Sequence, residues 1–483
     1  MIRDVNQLHL NPLMDYIDGQ TLTPMVKLSG SISNPNTHEP LQQQRATSDS
    51  YLDQALDTAL RVHHEGVWRL LSADERALLL EQIADALEPR LEEMATIEAW
   101  TTGVVIRQAR ALMHLVPLAF RRAAKHVRTA ASPQSLSNAV QVQRAPWGPA
   151  VLITPWSAAA VVAAYKTASA LAAGCPVILK PSACAPHSSG IMAEVIADCD
   201  LPRGVFQLVH GDAEVAIKLA SDPRARAISF TGKLEAARAI AQASATNLKP
   251  VQLEVSGVNS MIVLEDADLD AAAEGAVNAL TALSGQWMRG IGRLVVHRSR
   301  YNALLMKMLE RLESLQIGDA LSPDSDMGPL IHFSHLQQVQ AACDQLTACG
   351  GVRYEPTRLP DLPGYFMPPT LITNCRSSDA LDEIQGPAAT VHMFKDDAEA
   401  IALANDPESA CIAYIFGADE ERARAIASEL EIGNISINGV SLFGLHPQAP
   451  RAGWGFSGLG ETGVAENLRF FTGSRTIGVA GGQ

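Results

Sequence analysis

The chain has 483 residues, 47% of them apolar and 19% charged, with a net charge of −14. That length calls for two or three domains with substantial cores. The acidic balance argues against general nucleic-acid affinity, which rests on neutralising phosphates, and against an anionic membrane surface.

The opening stretch, "MIRDVNQLHLNPLMDYIDGQ", lacks the basic start and apolar run of a secretory signal. Residues 50–130 place apolar and charged positions at helical spacing, as in "ERALLLEQIADALEPRLEEMATIEAW". From "AVQVQRAPWGPAVLITPW" onward the texture changes. The strand-like runs "AVLIT", "PVILK", "VFQLV", "RAISF", "VQLEV" and "SMIVL" alternate with helical segments such as 158–173 and 236–245. The longest apolar stretch, "SAAAVVAAYKTASALAAG", contains Lys166 and predicts a buried helix rather than a membrane span.

After Asp266 the rhythm resumes: "RLVVH", helices 301–314 and 332–349, "TVHMF", helix 398–405, "CIAYIF", helix 420–430 and "NISING". This alternation predicts two α/β units, each a mostly parallel, doubly wound sheet, joined just after "QLEVSG". Seven cysteines (Cys175, Cys184, Cys199, Cys343, Cys349, Cys375 and Cys411) lack paired metal spacing. They fit free thiols in a reducing cytoplasm, and no metal site is expected.

Two segments point to a nucleotide. In "RAISFTGKLEAARAIA" a strand meets a helix through Thr231, Gly232 and Lys233. A helix N-terminus offers unpaired N–H groups to an anion, and Lys233 adds charge; an ordinary turn with a solvated lysine is the plainer alternative. In "VILKPS", Lys180 closes a buried strand, where open α/β sheets bind ligands.

A resemblance gathers these segments. "APWGPAVLITPW", "ALAAGCPVILKPSACAP", "ISFTGKLEAAR", "KPVQLEVSG", "SGQWMRGIGRLVV", "DEIQGP" and "INGVSLFGLHPQAPRAGWGFSGLGETG" resemble, in order, motifs of the aldehyde dehydrogenase superfamily across residues 145–463. The resemblance implies that residues 1–134 and 148–256 form a Rossmann-like cofactor-binding domain and residues 257–468 a catalytic-type α/β domain. Residues 135–147 and 469–483 would form a β arm that makes a homodimer or homotetramer.

The resemblance also implies a mechanism: a cysteine thiolate attacks an aldehyde, an asparagine and a backbone amide hold the oxyanion, hydride passes to NAD(P)+, and a glutamate activates water. By position the glutamate is Glu254. The cysteine position holds Met288 and the asparagine position Ser157. A thioether has no proton to lose, so thiolate chemistry is expected to be absent and Met288 reads as apolar filler. Glu254 keeps a base role only where an apolar funnel raises its pKa; a structural carboxylate is the alternative.

On the cofactor side, Trp156, Lys180, Ser182, Gly232, Lys233 and Glu383 occupy the family's NAD(P) positions. Ala183 and Gln385 depart from the usual acidic residue and phenylalanine, which tilts preference towards NADP with weakened or lost binding. Arg289 reads as an exposed loop cation or, more sharply, as a clamp for a substrate carboxylate. His446 reads as exposed, and Arg451 stands where the family has phenylalanine. The expected function is a pseudoenzyme or binding homologue, taking a small carbonyl-type ligand or a partner protein. The alternatives are NAD(P)-dependent, non-covalent hydride transfer on a carbonyl and a cofactor-free hydrolase or lyase using Glu254.

Overall fold

In the computed structural model, which describes residues 8–130, 134–137 and 140–479, the strand-forming runs pair into two mostly parallel sheets. The first runs Gln20–Leu22, Asp15–Ile17, Phe206–Leu208, Val177–Lys180, Ala150–Ile153, Ala227–Gly232, Val251–Val255 and Gly458–Leu459. Its five central strands are parallel, and both ends are closed by antiparallel strands. Strands Ala150–Ile153 and Val177–Lys180 are buried throughout, as expected when helices cover both faces.

The second sheet runs Val352–Tyr354, Thr370–Thr373, Ala388–Phe394, Ile291–His297, Asn259–Val263, Ala413–Phe416 and Ile435–Ile437, with only the first strand antiparallel. The expected junction after residue 256 falls between strands Val251–Val255 and Asn259–Val263, which belong to different sheets. Gly458–Leu459 is a correction to the expected division. It lies within 257–468 yet pairs with Leu253 and Glu254 of the first sheet.

The segment containing Lys166 is helix Ala159–Ala173, buried along nearly its whole length. Its alanines let neighbours approach closely: Trp68, fully buried, donates its indole N–H to the Leu171 carbonyl at 3.0 Å. No helix among the described residues is long and apolar enough to cross a membrane.

Of the expected arm, residues 138–139 and 480–483 lie outside the described residues. The remainder includes a three-stranded antiparallel sheet of Gln134–Ser137, Val140–Pro146 and Thr472–Gly478. Trp147 anchors its base by donating to the Phe470 carbonyl at 2.9 Å.

Helix Leu91–Thr102 supplies Glu98, which is 2% exposed and sits at the start of Ala159–Ala173. Its carboxylate accepts from Ser188 Oγ (2.7 Å) and the Ala160 N–H (3.3 Å). Burial pushes this carboxyl up to about 6, despite those two donors. A carboxyl raised by folding holds a proton that the unfolded chain has released, so its presence lowers stability as pH rises from about 4.5 to 6. Glu98→Gln removes that titration while keeping an amide oxygen as acceptor. Its stability relative to the parent is expected to improve by up to about 2 kcal/mol between pH 4.5 and 7, measured by thermal unfolding. A difference that does not change with pH would contradict this.

Candidate functional site

The loop quoted as "SGQWMRGIGR" begins on a backbone few side chains tolerate. Leu283 (φ 51°), Ser284 (φ 59°) and Gly285 (φ 71°) are successively left-handed. A Cβ at Gly285 would run into the backbone of Pro387, so the chain can pass there only as glycine.

Side chains from distant segments hold this turn. Gln108 accepts from the Leu283 N–H (2.9 Å), Ser284 Oγ donates to the Gly103 carbonyl (3.2 Å), and buried Gln286 accepts from the Ile331 N–H (2.9 Å). Asn259 donates to the carbonyls of Met288 (3.0 Å) and Gly290 (2.7 Å) and accepts from the N–H groups of Cys411 (2.9 Å) and Ile412 (3.1 Å). The Tyr414 hydroxyl donates to the Arg289 carbonyl at 2.8 Å. Rigid presentation of this kind is what a binding or catalytic loop requires.

The loop faces a cavity of about 150 Å³ whose walls include Ser157, Tyr165, Glu254, Trp287, Met288 and Cys411. Three positions 131 residues apart at their extremes, Ser157, Glu254 and Met288, therefore meet around one space. Ser157 gets there on the turn between strand Ala150–Ile153 and helix Ala159–Ala173, where Ala158 is left-handed (φ 50°). Arg289 also lines the cavity, so its reading as an exposed loop cation is corrected. Its pKa is drawn below the ordinary value by burial and by the charge of Arg451, which lines the same walls. His446 is exposed, as expected, at the rim of an adjoining cavity.

One cysteine reaches the site unannounced by the sequence. The Cys411 thiol donates to the Met288 carbonyl at 2.8 Å. Burial pushes that thiol up to about 12, so it is protonated at physiological pH and not a ready nucleophile.

Glu254 is set by strand register, which pairs it with Thr231 on the neighbouring strand. Its Oε2 accepts from Thr231 Oγ1 at 2.6 Å and from the Tyr165 hydroxyl, and lies 3.1 Å from Lys166 Nζ. Burial by itself would raise this carboxyl; the charges of Lys166 and Arg451 and the hydroxyls of Thr231 and Tyr165 outweigh it. The result is a carboxylate held well below the usual range. The largely apolar walls that would raise it are present, and the neighbouring cations Lys166 and Arg451 outweigh them. Lys166, fully buried, also donates to Ser229 Oγ (2.6 Å), whose hydroxyl donates to Gln252 (2.8 Å), whose amide donates to Asn467 (2.9 Å).

The expected cofactor positions fall in separate places. Lys180 closes its strand, buried, and burial draws it down to about 8 against the opposing charge of Asp212. Ser182 accepts from the Cys184 N–H in the following turn (3.3 Å). Gly232 ends the strand before Lys233, which occupies the cap position of helix Leu234–Ala245 without capping it through its side chain. Lys233 faces Glu383 across a cleft of about 400 Å³ that also presents Ser256, His335 and Gln385.

Glu383 accepts from Ser256 Oγ at 2.6 Å. The crevice desolvates its carboxyl and pushes it up to about 7 although part of the residue is exposed. Trp156 packs edge-on against His335, with ring centres 5.5 Å apart. The buried Gln385 Oε1 has no hydrogen-bond partner, leaving an acceptor beside the uncapped helix end. An acceptor, a lysine and free helix N–H groups suit a dinucleotide's hydroxyls and phosphates. Among the described residues no cluster of three or more His, Cys, Asp or Glu could hold a metal ion.

With this geometry in place, comparison with known proteins is decisive at the family level. The family model described as the aldehyde dehydrogenase family matches residues 27–477. The chain belongs to that family. It is 33% identical over 462 residues to 3-succinoylsemialdehyde-pyridine dehydrogenase of a Pseudomonas species, covering 92% of this chain and 94% of that protein. It is equally 33% identical, over 466 residues, to the non-phosphorylating aspartate-semialdehyde dehydrogenase of Halomonas elongata, covering 94% and 93% respectively. Among solved structures, betaine aldehyde dehydrogenase of Staphylococcus aureus in complex with NAD+ aligns with a TM-score of 0.92 at 27% identity, covering 98% of this chain and 96% of that one. This chain therefore has the aldehyde dehydrogenase fold, and a structurally aligned relative binds NAD+.

The Lys166–Glu254 pair gives a direct stability test. Lys166→Met leaves a buried carboxylate without its cation and is expected to cost about 3–5 kcal/mol, measured by urea unfolding. Lys166→Met combined with Glu254→Gln is expected to cost less, since no unpaired charge remains. A double variant less stable than the single one would contradict the pairing.

Proposed function

We propose that this aldehyde dehydrogenase-family protein does not perform thiol-dependent aldehyde oxidation, and that it is a pseudoenzyme that binds a small carbonyl-type ligand in the retained cavity. The observation that carries this reading is the chemistry of the groups around Met288. The thioether cannot form a thiolate, and the one nearby thiol, Cys411, is protonated and engaged with a backbone carbonyl. Glu254 is a stabilised carboxylate and so a weak base. Ser157 offers a hydroxyl where the family's asparagine offers a longer amide, a poorer oxyanion donor. Loss of a nucleophile alone has cost about a million-fold in a serine hydrolase. The relatives' names describe dehydrogenation of semialdehydes and of betaine aldehyde; in this chain the covalent half of such a cycle has no starting atom.

The cofactor crevice supports retained but weakened binding of NADP or NAD. Lys180 and Ser182 would face the adenosine end, Gly232 and Lys233 the phosphates, and Trp156 and Glu383 the nicotinamide end. Ala183 places no carboxylate against a 2′-phosphate, which favours NADP. When bound, the dinucleotide supplies a hydride acceptor or donor. The residues of this chain orient it: Lys233 by charge, and Glu383 as an acceptor once ionised. We further propose a cytoplasmic homodimer or homotetramer built through the β arm, without nucleic-acid or membrane partners. A monomer in sedimentation at micromolar concentration would contradict the assembly.

A second reading, non-covalent hydride exchange with a carbonyl compound, draws on the cleft beside Glu383 together with Ser157 in the cavity beside Met288. Turnover of NAD(P)H across an aldehyde panel would favour it over the pseudoenzyme reading.

Two outcomes are expected from intact mass spectrometry. The unmodified protein, exposed to an activated ester or to an aldehyde with NADP+, should gain no acyl mass. Met288→Cys should acylate with the ester yet turn over slowly, because Glu254 remains a weak base. An acyl adduct on the unmodified protein would overturn the proposal.

A further inference from the structure

The cavity beside Met288 adjoins a second of similar size, about 150 Å³, and the two share Tyr165, Arg289 and Arg451. Arg122, from helix Leu115–Ala130, lines the second. Across both walls the charged groups are these three arginines and one carboxylate, Glu254, with His446 at the rim. Among the described residues none of the three guanidiniums forms an ion pair or a side-chain hydrogen bond, although most other arginines of this acidic chain do.

What each arginine touches is limited. Arg451 stacks over the Tyr165 ring, 5.5 Å from its centre. Arg289 Nη1 lies 3.0 Å from where a Cβ on Gly444 would stand, so that glycine leaves room for the guanidinium. Glu254 acts on Arg451 and Arg289 through space only, since its Oε2 is bonded to Lys166, Thr231 and Tyr165; one carboxylate, already paired with Lys166, faces three arginines. Arg451 also bears on both other arginines as a like charge. Like cations gathered around a partly desolvated space repel one another and have lost hydration, a cost that an incoming anion relieves. The planar donor fork of arginine suits a carboxylate held through two oxygens.

We propose that Arg122, Arg289 and Arg451 form a carboxylate-binding subsite, so that the ligand taken by this double cavity is a small organic acid anion. The negative charge lies between the helix Leu115–Ala130 side and the loop bearing Met288, and the rest of the molecule extends towards Ser157 and Trp287. This rests on the reading of the cavity as a non-covalent ligand site, and it adds the ligand's charge and the residues that select it.

The test is calorimetric titration of the full-length protein with succinate, glutarate and benzoate, each against its uncharged amide at equal ionic strength. At least one acid is expected to bind saturably, and its amide at least tenfold more weakly. Arg451→Phe and Arg289→Leu are each expected to weaken that acid at least tenfold, with thermal midpoints confirming that both variants fold. A variant that fails to fold is replaced by Arg122→Gln, for which the same loss is expected. Absence of binding by all three acids, amides that bind as well as acids, or folded variants that bind as the parent does would overturn the subsite. Mass measurement on a parallel sample exposed to an activated ester keeps the two ideas apart: an acyl adduct there counts against the non-covalent reading, whereas missing calorimetric binding of the acids counts against the arginines.

Discussion

A lysine ammonium and a glutamate carboxylate buried 3.1 Å apart, between helix Ala159–Ala173 and strand Val251–Val255, set the terms for the rest of the site. Removing two charges from water is costly, and the arrangement persists because both are hydrogen-bonded as well as paired. Lys166 gives a proton to Ser229, and Glu254 receives protons from Thr231 and Tyr165. The chain of donors then runs through Gln252 to Asn467, tying the first sheet to helix Val464–Phe470. A carboxylate so placed is an anchor. The property that makes it structurally secure, strong stabilisation of its ionised form, is the property that makes it a weak base.

The other departures around the cavity agree with that assignment. Met288 brings no acid–base chemistry, the Cys411 thiol is buried against a carbonyl, and Ser157 is a short donor. Arg289 and Arg451 add positive charge where an apolar funnel would have raised a glutamate pKa. Each change alone could be a local accident. Together they are the features on which the proposed non-covalent anion site rests. The loop that presents Met288 remains rigid throughout, held at Asn259, Gln108 and Gln286.

Much of this was legible in the sequence because it depends on periodicity and ordered motifs. The alternation of strands and helices predicted two doubly wound sheets, and the motifs placed Ser157, Glu254 and Met288 around one site. Long-range contacts were not legible. Cys411 arrives from 123 residues beyond Met288, and no local pattern marks it as a neighbour. Gly458–Leu459, two residues long, crosses to the other sheet without any strand signature. Lys166 did leave a trace as the single charge inside an apolar helix, but its partner depended on the register of a separate strand. The direction of the Glu254 shift followed from that partner, so sequence could state only what an apolar environment would do.

The most direct measurement is the titration of Glu254 itself, followed by the carbonyl stretch or the side-chain carbon resonance of isotopically labelled glutamate, with Glu254→Gln assigning the signal. The account predicts a carboxylate that stays ionised from pH 8 down to about 4, below which other carboxyls have begun to protonate. A Glu254 signal titrating between about pH 6 and 8 would contradict it, and would restore to this residue the character of a general base.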